Sequence, residues 1–219
     1  VEILRELTEW VKAIQRMTAP STAIISPRRM GKTVLLERLV NTVFFKPEYH
    51  VAPFYFRIKR ERITLREFLL EYATTFFRQY IAYCIQDPYL YKDTFITLAN
   101  LLEPQVENKA VLLAQKMIRQ FLKRYEESDH EDARLHWEAF ICIPELLGSM
   151  SGTRVAVIID EFQDMKFFVY NTSQRHLMEL ISKGHLTDKV ATDLTATYRH
   201  QAQSRKAPML VSGSAVTLI

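Results

Sequence analysis

The sequence is poor in the patterns that mark several common chemistries. Only 2 cysteines occur in 219 residues, Cys84 and Cys142, and no Cys-x-x-Cys is present. Both sit in apolar helical patterns and read as buried thiols of a reducing compartment, which excludes a disulfide framework. The 6 histidines show no metal-ligand spacing. A Gly-x-Ser-x-Gly nucleophile elbow is absent. No apolar run reaches about 18 residues, so no membrane span is expected, and no signal-peptide pattern opens the sequence given. A cytoplasmic location is the expectation. Low-complexity tracts and internal repeats are also missing. Charge of neither sign is concentrated: 29 Lys and Arg stand against 25 Asp and Glu, for a net charge of +4. That balance permits a nucleic-acid partner without calling for one.

What is present is a core-forming composition, 48% hydrophobic, and one stretch with a specific pattern. Ser26-Pro27-Arg28-Arg29-Met30-Gly31-Lys32-Thr33 follows the apolar run Ala23-Ile24-Ile25 and opens a helical pattern at Val34. Strand, tight loop, Gly-Lys-Thr and helix make the context of a phosphate-binding P-loop. Along Ser26 to Val34, the backbone N–H groups of all but Pro27 would point at phosphates, where a helix N-terminus favours negative charge. Gly31 allows close approach of the backbone. Lys32 brings a positive charge to the β- and γ-phosphates, and Thr33 offers a hydroxyl to Mg²⁺. Ser26 stands where the G-x-x-x-x-G-K-[ST] pattern has its first glycine.

A second stretch complements the first. Arg154-Val155-Ala156-Val157-Ile158-Ile159-Asp160-Glu161 is an apolar run ending in two carboxylates. Such a run reads as a strand buried on both faces of a parallel sheet. Acids at its C-terminal end lie where open α/β sheets bind ligands. Asp160 would hold Mg²⁺ through water opposite Thr33, and Glu161 would act as general base on the attacking water.

Along the chain, Val1, Leu4, Leu7, Val11 and Ile14 predict an amphipathic helix ending near Met17. Strand one spans Thr22 to Ser26, and the helix after the loop continues to about Phe45. Val51 to Ile58 reads as strand two, and Pro53 suits an edge position. Arg57, Lys59, Arg60 and Arg62 form a basic cluster that reads as a solvated strand end, with a phosphate or nucleic-acid contact as the second reading. About 90 residues without a convincing strand follow. Thr64-Leu65-Arg66-Glu67 is a capping box, after which Leu65, Leu69, Tyr72, Phe76 and Tyr80 share a helical face and read as core. Further helices are expected from Tyr89 to Leu102, from Pro104 through Tyr125, and from Glu131 to Leu147 with an interruption at Pro144. After the acidic pair, a loop leads to a helix capped by Thr172 or Ser173 and stopped at Gly184. A helix from Thr187 to about Gln203 is next. Pro208 to Val211 reads as a short buried strand, followed by Ser212-Gly213-Ser214.

With these stretches in order, the chain resembles the archaeal/bacterial ATPase family of AAA+-like signalling NTPases, the STAND branch. Pro27 to Thr33, Val157 to Gln163 and Pro208 to Ser214 carry the resemblance, and Arg5-Glu6-Leu7 adds to it. The resemblance implies an α/β P-loop NTPase, a three-layer αβα sandwich whose mostly parallel sheet has strand order 5-1-4-3-2. The chain is expected to be a single nucleotide-binding domain over residues 1–219, with a helical insertion at about 63–150 and an end before strand 5 and the lid. ATP with Mg²⁺ is the implied cofactor pair. Ser214, with Ser212 beside it, is implied to read the γ-phosphate or the attacking water. No arginine finger is assigned; Arg199 and Arg205 read as surface residues, and Arg28 and Arg29 as solvent-facing or in salt contacts.

The leading expectation is an ATP-hydrolysing switch with Lys32, Glu161 and Ser214 as catalytic residues, and Thr33 and Asp160 on the metal. A nucleotide-gated interaction module with little turnover is the alternative. A DNA-handling motor ranks lower, and Glu161 argues against a phosphotransferase. A protein partner, or a second copy of the chain, would dock through the helical insertion.

Overall fold

The computed structural model describes residues 2–103, 106–185 and 191–214. The expected helix starts at Pro104 and Thr187, and the first-helix residue Val1, lie outside them. Helix α1 (Glu2–Gln15) precedes β1 (Thr22–Ser26), α2 (Lys32–Phe44) and β2 (Val51–Arg57). The helical block then runs β3 (Ile63–Thr64), α3 (Leu65–Ile85), α4 (Pro88–Lys92), α5 (Lys109–Glu127), α6 (Ala133–Phe140) and α7 (Ile143–Ser151). It is followed by β4 (Arg154–Asp160), α8 (Met165–Phe168), β5 (Val169–Tyr170), α9 (Gln174–Ser182), α10 (Arg199–Gln203) and β6 (Met209–Ser214).

The chain is α/β. Its main sheet has four strands in the order β1-β6-β4-β2, and β3 pairs with β5 in a second small sheet. Every pairing among the described residues is parallel. Alternation along β4 sends its side chains to two different layers. Ala156 and Ile158 join Leu7, Val11, Leu36 and Leu39 of α1 and α2 in an aliphatic core. Val155, Val157 and Ile159 join Tyr72, Phe76 and Trp137 in an aromatic core built by the helical block. Helices thus cover both faces, an arrangement compatible with a three-layer sandwich. The block expected as an insertion supplies one of those layers: α3 packs on β2 and α7 on β4.

Local chemistry accounts for several boundaries. Thr64 caps α3 by accepting from the Glu67 N–H, while the Glu67 carboxylate accepts from the Thr64 N–H at 3.1 Å. Ser173 caps α9. The aromatic face of α3 is buried, and Phe54 meets the Tyr72 and Phe76 rings edge-on at 5.0 and 5.2 Å. Such pairs add to the area buried.

Three expectations are corrected. The stretch from Tyr89 to Leu102 is not one helix but the five-residue α4 and a 3₁₀ turn, Asn100–Leu102. Buried Arg78 takes the carbonyls of Tyr91 and Asp93 at 2.8 and 2.7 Å, which ends the helix there. Residues 191–194 are not helical; the Asp193 carboxylate accepts from the Thr195 N–H and starts a 3₁₀ turn, with α10 beginning only at Arg199. The strand expected from Pro208 to Val211 runs on through Ser212-Gly213-Ser214 as the end of β6, because its backbone continues to pair with β1 through Ser26. The two cysteines are free and half-buried, Cys142 at the start of α7. Burial pushes the Cys84 thiol up to about 12.

The β2 edge is closed by side chains. Pro53 has no N–H, and its carbonyl accepts from the Tyr91 hydroxyl at 2.9 Å. Tyr55, two residues on, uses both its backbone groups on the Gln79 amide, donating at 2.7 Å and accepting at 2.9 Å. Gln79 therefore imitates one residue of a neighbouring strand. Gln79→Leu, of similar size, is expected to lower the unfolding free energy by about 1–3 kcal/mol, the cost of two unpaired backbone groups. Urea denaturation checks this, and an unchanged midpoint would refute the role.

Candidate functional site at the carboxyl ends of the strands

In a parallel sheet all strands end on the same side. Here that side carries Ser26, Arg57, Asp160 and Ser214 at the last positions of the four main strands. Registers pair Ser26 with Ser214, Arg57 with Asp160, and Ile159 with Val211. One step beyond the last pair brings Asp160 beside Ser212. Asp160 has the parity of Ile158, so its side chain leaves the sheet towards α2.

The loop between β1 and α2 turns through two left-handed residues, Arg29 at φ 65° and Gly31 at φ 79°. A side chain at Gly31 would meet no atom within 4 Å, so glycine is there for backbone conformation and not for space. Gly31 is followed by the N-terminus of α2. Lys32 is 7% exposed and folds back over the loop, donating to the carbonyls of Ser26 at 3.0 Å and Pro27 at 3.1 Å. Arg28, Arg29, Met30 and Val34 are exposed.

Thr33 and Asp160, expected as metal ligands, are brought together from 127 residues apart: the Thr33 hydroxyl donates to Asp160 Oδ2 at 2.7 Å. Asp160 is 0% exposed. Its Oδ2 also accepts from the Tyr55 hydroxyl at 3.3 Å. Its Oδ1 accepts from the Glu161 N–H at 3.1 Å and from the Ser212 hydroxyl. The Arg57 guanidinium lies 4.0 Å from Oδ2. A buried carboxylate is tolerable when its lone pairs are filled in this way. Burial, and then the charge of Asp160, push the Tyr55 phenol well above its ordinary range.

Glu161 follows in a left-handed conformation, φ 56°, between β4 and the 3₁₀ turn Phe162–Asp164. A non-glycine residue there is strained by about 1–2 kcal/mol. Its carboxylate accepts from the Gln163 amide at 2.5 Å. Gln163 is buried and also faces Asp164, which Arg60 holds with two bonds of 2.7 and 3.3 Å. Ser214, expected as the polar reader, is buried beside Ser26, whereas Ser212 is the serine on Asp160.

Reasoning from sequence missed Tyr55, Gln163 and Arg60 as members of this network. Gln163 lies within the quoted Asp-Glu-Phe-Gln, and Tyr55 shares strand parity with Arg57; those signals were present but need the sheet register to be read. Arg205 is remote: Lys206, beside it, bonds the start of β4 at the opposite end of the sheet, whereas Arg199 opens α10 next to Tyr198, whose ring meets Phe162 at 5.5 Å. Among the described residues no cluster of three or more His, Cys, Asp or Glu could hold a metal, and no helix is long and apolar enough to cross a membrane.

Comparison with protein-family models, with curated proteins and with solved structures finds no match for this chain. The site is therefore read from its residues and their geometry.

Asp160→Asn preserves shape but turns one acceptor oxygen into a donor that faces existing donors. It is expected to cost about 1–3 kcal/mol of stability, measured by denaturant titration. A stability equal to the parent would show that the four donors do not converge as described.

Proposed function

We propose that the chain is the ATP-binding domain of an ATP-hydrolysing switch of the AAA+/STAND kind, dependent on Mg²⁺. The observation that carries this reading is the Thr33–Asp160 contact, which joins the Gly-Lys-Thr loop to the acidic strand end. Numbered along the chain, the four main strands lie in the order first, fourth, third, second. That order agrees with the corresponding part of 5-1-4-3-2.

The donor set fits the cation. Mg²⁺ takes one or two protein oxygens and completes its shell with water and phosphate. Thr33 and Asp160 offer one hydroxyl and one carboxylate, and no all-protein cage is needed. Bound Mg-ATP supplies the phosphoryl group and a cation that neutralises its charge. Lys32 exchanges its two carbonyl partners for phosphate oxygens. The loop N–H groups and the start of α2 bind the phosphate chain. Ser212 and Tyr55 hold Asp160 in place. Glu161 accepts the proton of the attacking water, and Gln163 orients its carboxylate.

The test measures ATP binding with and without Mg²⁺, together with phosphate release. Lys32→Ala is expected to lose binding. Glu161→Gln is expected to bind ATP while releasing phosphate at least about a hundredfold more slowly, the usual worth of a general base. Gln163→Ala should bind like the parent and turn over about tenfold more slowly, the scale of a lost orienting partner. A parent chain that binds ATP but releases no phosphate would favour the nucleotide-gated module. A parent that binds no nucleotide would refute both.

A further inference from the structure

The helical block carries a recess that the candidate site does not use. Phe77 of α3, Met117 and Phe121 of α5, Phe140 of α6 and Ile143 of α7 line it, with the exposed Arg124 beside them. Its volume is about 70 Å³. That is below the range of small-molecule sites, about 300–1,000 Å³, and about half of the roughly 150 Å³ that holds benzene. The recess has room for one aliphatic side chain from another surface. Apolar surface continues from it along α7, where Ile143, Leu146 and Met150 share one stripe and the last two are about half exposed.

Charge is divided about the recess. Lys116, Arg119, Lys123 and Arg124 lie exposed along α5, and Glu126, Glu127, Asp129, Glu131 and Asp132 follow at its end and in the turn to α6. Among the described residues none of these side chains lies within ion-pair distance of an opposite charge. The order also runs against the helix dipole, which favours acids at the start and bases at the end. Helix α5 has Lys109 first and Glu126 and Glu127 last. The fold nevertheless holds the acidic end in place. The Arg66 guanidinium donates to the carbonyls of Tyr125 and Ser128 and lies 4.0 Å from the centre of the Tyr125 ring. Directly after Glu131 and Asp132, in the first turn of α6, Leu135 stands 67% exposed.

We infer that this face binds a second copy of the chain across a twofold axis. A surface that is basic on one side of an apolar centre and acidic on the other is its own complement under a half-turn. That half-turn sets the basic length of α5 in each copy against the acidic turn of the other. Leu135 of each copy then enters the other's recess. It is an exposed side chain of the right size, and it is carried on the acidic side. Fixed turns and helices on both sides reduce the ordering cost of the contact. The contact does not rest on nucleotide binding, and no residue of the candidate site takes part in it.

The test is sedimentation velocity of the full chain without nucleotide, from low to high micromolar concentration. A dimer is expected, weakening with added salt. Leu135→Asp, at an exposed position, should raise its Kd by more than about tenfold, the scale of a buried anchor. Arg119→Glu with Lys123→Glu should leave a monomer. Glu126→Lys with Glu127→Lys should do the same, although it suits the end of α5 better than the native acids. An equimolar mixture of these two charge-reversed chains should form a heterodimer, which a folding defect could not produce. Ile25→Asp, exposed on β1, should change nothing. A parent that stays monomeric, a dimer untouched by Leu135→Asp, or a mixture that remains monomeric would overturn the inference. A dimer that Ile25→Asp dissociates would place the contact at β1 and overturn it too. So would a monomeric parent that binds a synthetic Leu- and Glu-rich helical peptide through Arg119 and Lys123, which would give the recess to a different protein. Because the dimer is read without nucleotide, a parent chain that fails to bind ATP would sink the proposed function and leave this contact standing.

Discussion

A carboxylate with no exposure to water needs its donors delivered to it, and Asp160 receives them from four places. Thr33 comes from the start of α2, Tyr55 from β2, Ser212 from β6, and the last is the backbone of Glu161. None of these segments is adjacent in the chain to all the others. They meet only if β2, β4 and β6 are in register and α2 is docked on the face that Ile158 shares. A slip of one residue in any strand would turn a hydroxyl to the other side of the sheet and leave a buried charge partly unanswered. The polar centre and the sheet register therefore enforce each other.

The two layers divide the work around that centre. The aliphatic side, α1 and α2 over Ala156 and Ile158, seats the loop that carries Lys32 and Thr33. The aromatic side, α3 to α7 over Phe54, Val157 and Ile159, seats the end of β2 and with it Arg57, Lys59 and Arg60. Trp137 is fully buried among Phe68, Tyr72 and Tyr198, and its indole N–H donates to the Thr197 hydroxyl at 2.8 Å. That contact ties the segment before β6 to the helical block. Both walls of the site thus rest on packed helices, although the reactive groups themselves sit on turns.

Much of this was legible in the sequence because it is contiguous. The strand from Thr22 to Ser26, the turn at Gly31, the helix to Phe44 and the run Arg154 to Asp160 each declare themselves within a dozen residues. The pairing of Thr33 with Asp160 was inferred from two such stretches together. What escaped reading depends on distant partners. Ser212 and Ser214 look alike until the register with β4 separates them. The break after Lys92 is set by Arg78, a residue of another helix. The β3–β5 pairing is two residues long on each side, too short for any periodicity to show. The basic cluster at the end of β2 is solvated, as its sequence suggested.

The treatment of the sheet's two margins is unequal. At β2 the amide of Gln79 and the hydroxyl of Tyr91 occupy the outward backbone groups of Tyr55 and the carbonyl of Pro53, so a foreign strand would find the middle of that margin taken. At β1 no described strand lies outside, and Ile25 remains 56% exposed. Among the described residues, the β1 margin is therefore the more open to extension of the sheet. Any added strand would lie along the residues that lead directly into the Lys32 loop, so lengthening the sheet and stiffening that loop would be one event.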